Sequence, residues 1–264
     1  MLMAVKNQAK ISFLSIKYAL MKEMLNKVTF LTNIFFMILN NASFIIQWIV
    51  LYSLKDNVGG YTFKQVLLLW GIAASTYGVS RFFFKRAFSL SDTINKGKLD
   101  VYLVQPKNVL ISAITTDVEP SAIGDLLYGY IMLFIYGFTI PRFLLFTLFT
   151  ITGGLIITGV AIILGSLSFW FGKKDVIADV GNSLIINFAT YPDGIFKGIV
   201  KLLLFTLIPV GIVNYIPVIV LTRFSLELML IVLLVTIFII VLAFLVFYKG
   251  LKRYASSNLM VARV

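Results

Sequence analysis

The chain has 264 residues, 60% of them hydrophobic and 15% aromatic, with a mean hydropathy of +0.98 and a net charge of +12. That apolar load, arranged in windows of about 20 residues, excludes an ordinary soluble domain and reads as a single all-α, polytopic membrane domain. With no Cys and no His, thiol chemistry, disulfides and the usual zinc, haem and imidazole-base sites are excluded.

Residues 10–27 place Ile11, Leu14, Tyr18, Met21 and Leu25 at helical spacing, with Lys10, Lys17, Lys22 and Lys27 largely elsewhere. This is the pattern of an amphipathic helix lying in the interface among lipid headgroups. No short apolar core with a small-residue cleavage site stands at the N-terminus, so no cleavable signal peptide is expected. The first span is expected over 28–54, the turn KDNVGG over 55–60 and the second span over 61–84. A polar region, 85–120, follows. Within it Ser91 or Asp92 can cap a short helix and Gly97 can end it. The third span is expected over 121–140, with a tight turn at Pro141-Arg142, and the fourth over 143–171. GKKD, 172–175, is a turn, and 176–190 is apolar but only about 15 residues long, short for a crossing. Then comes FATYPDGIF, 188–196. Pro192 removes a backbone donor and disfavours helix at Tyr191, and Gly194 relaxes the chain beside Asp193. Backbone freed inside lipid needs protein or a wet cavity to cover it, so this stretch marks a surface or a break in a buried wall. Residues 195–213 are apolar again, the last span is expected over 226–248, and a basic tail ends the chain.

Lys and Arg set the orientation. With the N-terminus in the cytoplasm, the N-terminal segment, residues 81–107, the 173–174 turn and the tail place 17 of the 23 basic residues inside. The bias favours cytoplasmic termini and an even number of crossings. Six are reached if 176–190 crosses, or if 195–213 crosses while 176–190 lies on the cytoplasmic surface. The positive charge is accounted for by these loops rather than by nucleic acid.

No G-x-x-x-x-G-K-[ST] loop is present, and no Ser–His or Cys–His pair, so neither a bound nucleotide nor an enzyme active site has residues to rest on. No cofactor or metal site is expected on this chain. The expected span centres hold almost no charge. Asp125 and Asp179 fall near span starts, where they can face cytoplasmic water or a helix N-terminus, which argues against an ion-driven carrier. Gly153, Gly154, Gly159, Ala161 and Gly165 on the fourth span allow close helix packing. The region 85–120 reads equally as a solvated connector or as a short capped helix that docks on a cytoplasmic partner.

Three stretches carry a resemblance: INKGKLDVYLVQPKN (94–108), TDVEPSAIGDLLYG (116–129) and FATYPDGIFKGIVKLLLFTLIPVGIVNYIPVIVL (188–221). Together they resemble the permease subunits of bacterial type-2 ABC exporters, in the branch that pairs with a second permease. The first span and the tail match only in hydropathy. The resemblance implies six transmembrane helices, an N-terminal interfacial elbow helix over 10–27, and a coupling helix at about 89–99 seated on an ATPase, carried by Ser91, Asp92, Ile94, Asn95, Lys96, Gly97 and Leu99. It implies a re-entrant helical hairpin between spans five and six over 192–213, hinged at Tyr191, Pro192, Asp193, Gly194, Pro209 and Pro217, with 176–190 as the fifth span. It also implies cytoplasmic ABC ATPase subunits that carry the ATP and Mg, a second permease, surrounding lipids, the bacterial cell membrane, and an amphipathic or lipid-like cargo. The other readings are a stand-alone ion-coupled carrier or channel, and a membrane scaffold or lipid-modifying enzyme.

Overall fold

The structure, a computed structural model, describes residues 2–171, 183–185, 187–206 and 208–255. Among the described residues every regular element is helical, and one isolated bridge pairs Val58 with Tyr61. Helix α1 runs from Leu2 to Glu23 and α2 from Lys27 to Leu54. The N-terminal helix therefore starts before Lys10 and stops before Lys27. Asn26 separates the two by accepting from the Thr29 amide (3.1 Å) and capping α2. Helix α3 covers Phe63–Phe84, and the Gln65 side chain accepts from the amide of its cap, Thr62 (2.9 Å).

Past α3 the chain makes a 3₁₀ turn, Lys85–Ser89, and three short helices: α4 (Leu90–Asn95), α5 (Asp100–Leu103) and α6 (Val109–Ile114). Helix α7 is Ser121–Gly137, and α8 is Ile140–Ser166. The turn expected at Pro141-Arg142 lies earlier. Thr139 caps α8 by accepting from the Arg142 amide (3.3 Å), and Pro141 occupies the first turn, where its missing N–H is no loss. Gly137, at φ +139°, lets α7 stop there. A single turn, α9 (Ser168–Phe171), follows. After the FATYPDGIF stretch come α10 (Gly198–Thr206), a π-helical turn (Gly211–Tyr215), α11 (Ile216–Thr222) and the long α12 (Leu226–Leu251) capped by Ser225.

Among the described residues four helices, α2, α3, α8 and α12, are long and apolar enough to cross a bilayer. The pair α10 and π-turn–α11, bent by 75°, brings the number to five if it counts as one. Helix α7 is apolar but shorter, at 17 residues. The expected fifth span, 176–190, falls largely outside the described residues.

Helices α3 and α8 form the buried centre, with α7 against α3, α2 against α7, and α12 against α8. Glycines allow these approaches. A Cβ on Gly129 would stand 2.6 Å from the Gly71 carbonyl oxygen, and one on Gly78 would stand 2.9 Å from that of Ala122. On α8, Gly154 faces Val79, Gly159 faces Ile239 and Gly165 faces Leu90. Lipid tails are as apolar as leucine, so close van der Waals packing of this kind, rather than exclusion from water, holds the helices together.

The two ends of the bundle differ. One carries the short turns at 55–62 and 138–139. Gly194 presses on the backbone of Gly59 there, and Arg142 donates to the Leu221 carbonyl (3.4 Å), so both outer ends of the bent pair reach this end. The other end carries residues 85–119 and the start of the tail. A second apolar cluster there joins Leu90, Ile94, Leu99, Leu110 and Ile114 to Ala161, Ile162, Ala243 and Phe247 on α8 and α12.

Candidate functional site

The loop region between α3 and α7 is packed as a block onto α8, α9 and α12. Leu90, Ser91, Ile94, Gly97 and Leu99 are buried, and Ser91 shares a 2.5 Å hydrogen bond with Ser168 on α9. Gly97, at φ +67°, ends α4. Asp92 pairs with Lys96 (2.6 Å) and Lys98 (3.6 Å). The hydrogen bond from Lys96, with the charges of Lys96 and Lys98, holds the Asp92 carboxyl below its ordinary range against the opposing effect of burial. Asn95 donates to Ser91 Oγ (3.3 Å). Lys85 and Arg86 pair with Asp117 (4.0 and 3.4 Å), and Lys85 also with Glu119 (3.5 Å).

Both ends of the chain brace this block. Gln8 on α1 accepts from the Asn108 amide (2.9 Å) and donates to Ser112 (3.4 Å). Tyr254 donates to Asp100 (2.9 Å), and burial first, then the Asp100 hydrogen bond, pushes its phenol up to about 12. Of the residues singled out in sequence, Ser91, Ile94, Gly97 and Leu99 face inward, while Lys96 is exposed and Asp92 and Asn95 are half-buried. The exposed apolar tip lies further along, at Val101, Leu103 and Val104. Hydropathy shows that both sets are apolar, but only the fold decides which faces out.

The FATYPDGIF stretch sits against the first turn of the bundle. Asp193 opens a 3₁₀ turn to Ile195 and pairs with Lys201 (2.7 Å), and Tyr191 rests against the Trp48 ring (5.8 Å). A helix running through Pro192 would have used its N–H on the Phe188 carbonyl. Two polar side chains of the π-turn stand in. Tyr215 donates to the Phe188 carbonyl (2.9 Å) and Asn214 donates to that of Ala189 (2.7 Å). Pro209 lies in the break between the two arms of the bent pair, just before the π-turn, and Pro217 lies in the first turn of α11, within the second arm. Lys197 is exposed.

A cavity of about 430 Å³ lies between α2, α3, α7, Ile157 of α8 and residues 185, 187, 189–191 and 213–214. Its polar lining comprises Asn40, Asn41, Gln47, Thr76, Asp125, Asn187, Thr190 and Asn214, and its aromatic lining Phe44, Trp70, Tyr77 and Tyr191. Asp125 does not face cytoplasmic water. It is 5% exposed and accepts from Asn41 Nδ2 at 2.6 Å. Gly124 makes this possible by bringing α7 onto the α2 backbone at Ile34. Asn214 Oδ1 and Trp70 Nε1 are buried without a hydrogen-bond partner among the described residues. Asn33, Asn40 and Gln47 recur at seven-residue steps and are exposed on one face of α2. That amide period was readable in sequence. The cavity was not, because Asn41 and Asp125 stand 84 positions apart.

No cluster able to hold a metal ion occurs among the described residues. Neither a curated protein nor a solved structure matches the chain. A family model described as ABC-2 family transporter protein matches residues 18–258, nearly the whole chain and including the braced block, the 188–196 stretch and every cavity residue. The chain therefore belongs to the ABC-2 family of transporter proteins, as a multi-pass membrane component.

Proposed function

We propose that this chain is one permease of a bacterial ABC exporter. It resides in the cell membrane with both termini cytoplasmic, paired with a second permease and driven by a separate ATPase that binds the ATP and Mg. The observation that carries the reading is the block at 85–119. It is packed onto α8 and α12 and braced by Gln8 and Tyr254, yet it exposes Val101, Leu103 and Val104. A rigid block with an apolar tip is what a lever needs. Force from an ATPase closing on ATP reaches the spans only if the contact does not deform. The ATPase contact is formed by this tip together with Lys96, Lys98 and the Asp92–Lys96 pair.

Six crossings follow when α7 and residues 176–190 are counted with the four long helices. Helix α10 and the π-turn–α11 then form a re-entrant hairpin between spans five and six, and α1 forms the interfacial elbow. The contacts of Gly194 with Gly59 and of Arg142 with Leu221 support the hairpin, because they put both of its outer ends at the end opposite the block. The exposed amides of α2 support a pathway shared with a second permease. Amide groups turned to hydrocarbon lack partners, whereas a neighbouring permease or a wet channel supplies them. An apolar wall with amide and aromatic patches suits an amphipathic or lipid-like cargo.

Copurification tests the reading. The permease should bring down an ABC ATPase, and ATP turnover by the pair should depend on it. Transport by this chain alone in liposomes under an ion gradient, with no ATPase bound, would favour a stand-alone carrier instead.

A further inference from the structure

We infer that the cavity beside Asp125 binds an amine or quaternary ammonium group of an amphiphilic cargo, with Asp125 as its counter-ion. The inference rests on the permease reading and gives it a substrate class. A carboxylate held away from water is costly unless a positive charge or several donors compensate it. Asp125 has one neutral donor, Asn41 (2.6 Å), and no Lys or Arg lines the cavity among the described residues. The arginine on α3, Arg81, acts on Asp125 only through its field, because its direct contacts are elsewhere. It donates to the Tyr77 hydroxyl (2.8 Å) and lies over the Phe88 ring (4.1 Å).

Other features of the lining agree. Phe44 and Trp70 are stacked 5.4 Å apart, and π-faces attract organic cations. The buried Asn214 Oδ1 is an acceptor awaiting a donor, and Trp70 Nε1 is a donor awaiting an acceptor such as a hydroxyl or carbonyl on the same ligand. Asn40 and Gln47 are exposed at the α2 side of the cavity, where a molecule entering from the membrane or the permease interface would first meet hydrogen-bonding groups.

The test uses the full chain in lipid nanodiscs with two probes of one shape and opposite charge, tetraphenylphosphonium and tetraphenylborate. The saturable part of binding is measured. Wild type should bind the cation in preference to the anion. Asp125→Asn keeps the hydrogen bond to Asn41 and removes the charge, so it should weaken cation binding at least about tenfold and leave anion binding unchanged. If Asp125→Asn does not fold, Asn40→Lys serves, because it places a positive charge on an exposed rim position and should depress cation binding alone. Equal binding of both probes by wild type, or cation binding that survives Asp125→Asn (or Asn40→Lys where the first does not fold), overturns the assignment. These readouts need no ATPase, so a failed cavity leaves copurification intact, and failed copurification leaves the binding result standing.

Discussion

The Tyr215 hydroxyl donates to the Phe188 backbone carbonyl across 2.9 Å and 27 positions of sequence. That carbonyl lost its helical donor because Pro192 has none. The Tyr191 amide, at 3.4 Å, is its other donor, so Tyr215→Phe should remove the shorter of two hydrogen bonds at a half-buried acceptor and destabilise the protein by about 0.5–1.5 kcal/mol. In a Pro192→Ala background, where residue 192 regains its N–H, the same change should do less. Thermal unfolding of the four proteins of the cycle measures this. Strictly additive effects would show that the two residues do not share the carbonyl.

The α3–α7 contact depends on bare backbone. Gly129→Ala places a Cβ 2.6 Å from both the Gly71 carbonyl oxygen and Ser75 Cβ, where nothing can yield without moving a helix. A loss of about 1–3 kcal/mol is expected. Val101→Ala, on the exposed tip, should leave the melting temperature unchanged, and a matching drop in both variants would contradict this packing.

Lys96→Glu puts like charges four residues apart on α4. The Asp92 carboxyl should then rise from its depressed position towards or above its ordinary value, read by carboxyl ¹³C NMR titration. The sign fixes the pH window. A lowered carboxyl contributes stability above its unfolded value, about 3.9, and loses it as pH falls through the folded value, so the wild-type pair is intact at neutral pH and opens below the ordinary carboxylate range. On the permease reading this variant also hydrolyses ATP without transporting. Normal coupled export would remove α4 from the coupling contact.

Residue 197 reports the topology of the last third of the chain. The protein has no cysteine, so Lys197→Cys gives a single label site. Labelling from outside intact cells is expected. Labelling only after permeabilisation would reverse the hairpin.

Helical class and membrane character were legible because composition and the long apolar runs of α2, α3, α8 and α12 dictate them. The glycines of α8 likewise announced close packing, and Gly159 and Gly165 find neighbours in Ile239 and Leu90. Pro192 announced a break. What repairs the break was hidden, since Asn214 and Tyr215 lie 22 and 23 residues beyond the proline in an apolar run whose hydropathy masks them. Asp125 read as a residue near a span start, and only the approach of α7 to α2 through Gly124 turns it onto Asn41. In the block at 85–119, Leu99 and Val101 are equally apolar in sequence. The fold buries the first completely and leaves the second 63% exposed.

The central claim is that an ATPase grips this chain at residues 101–104. Single cysteines at Val104 and Leu103, with one at Ser53 near the opposite end as control, can be crosslinked in the purified complex. The account predicts an ATPase crosslink from 103 and 104 that follows ATP binding, and none from 53. A crosslink from 53, or none from either tip position while the ATPase remains bound, would contradict it.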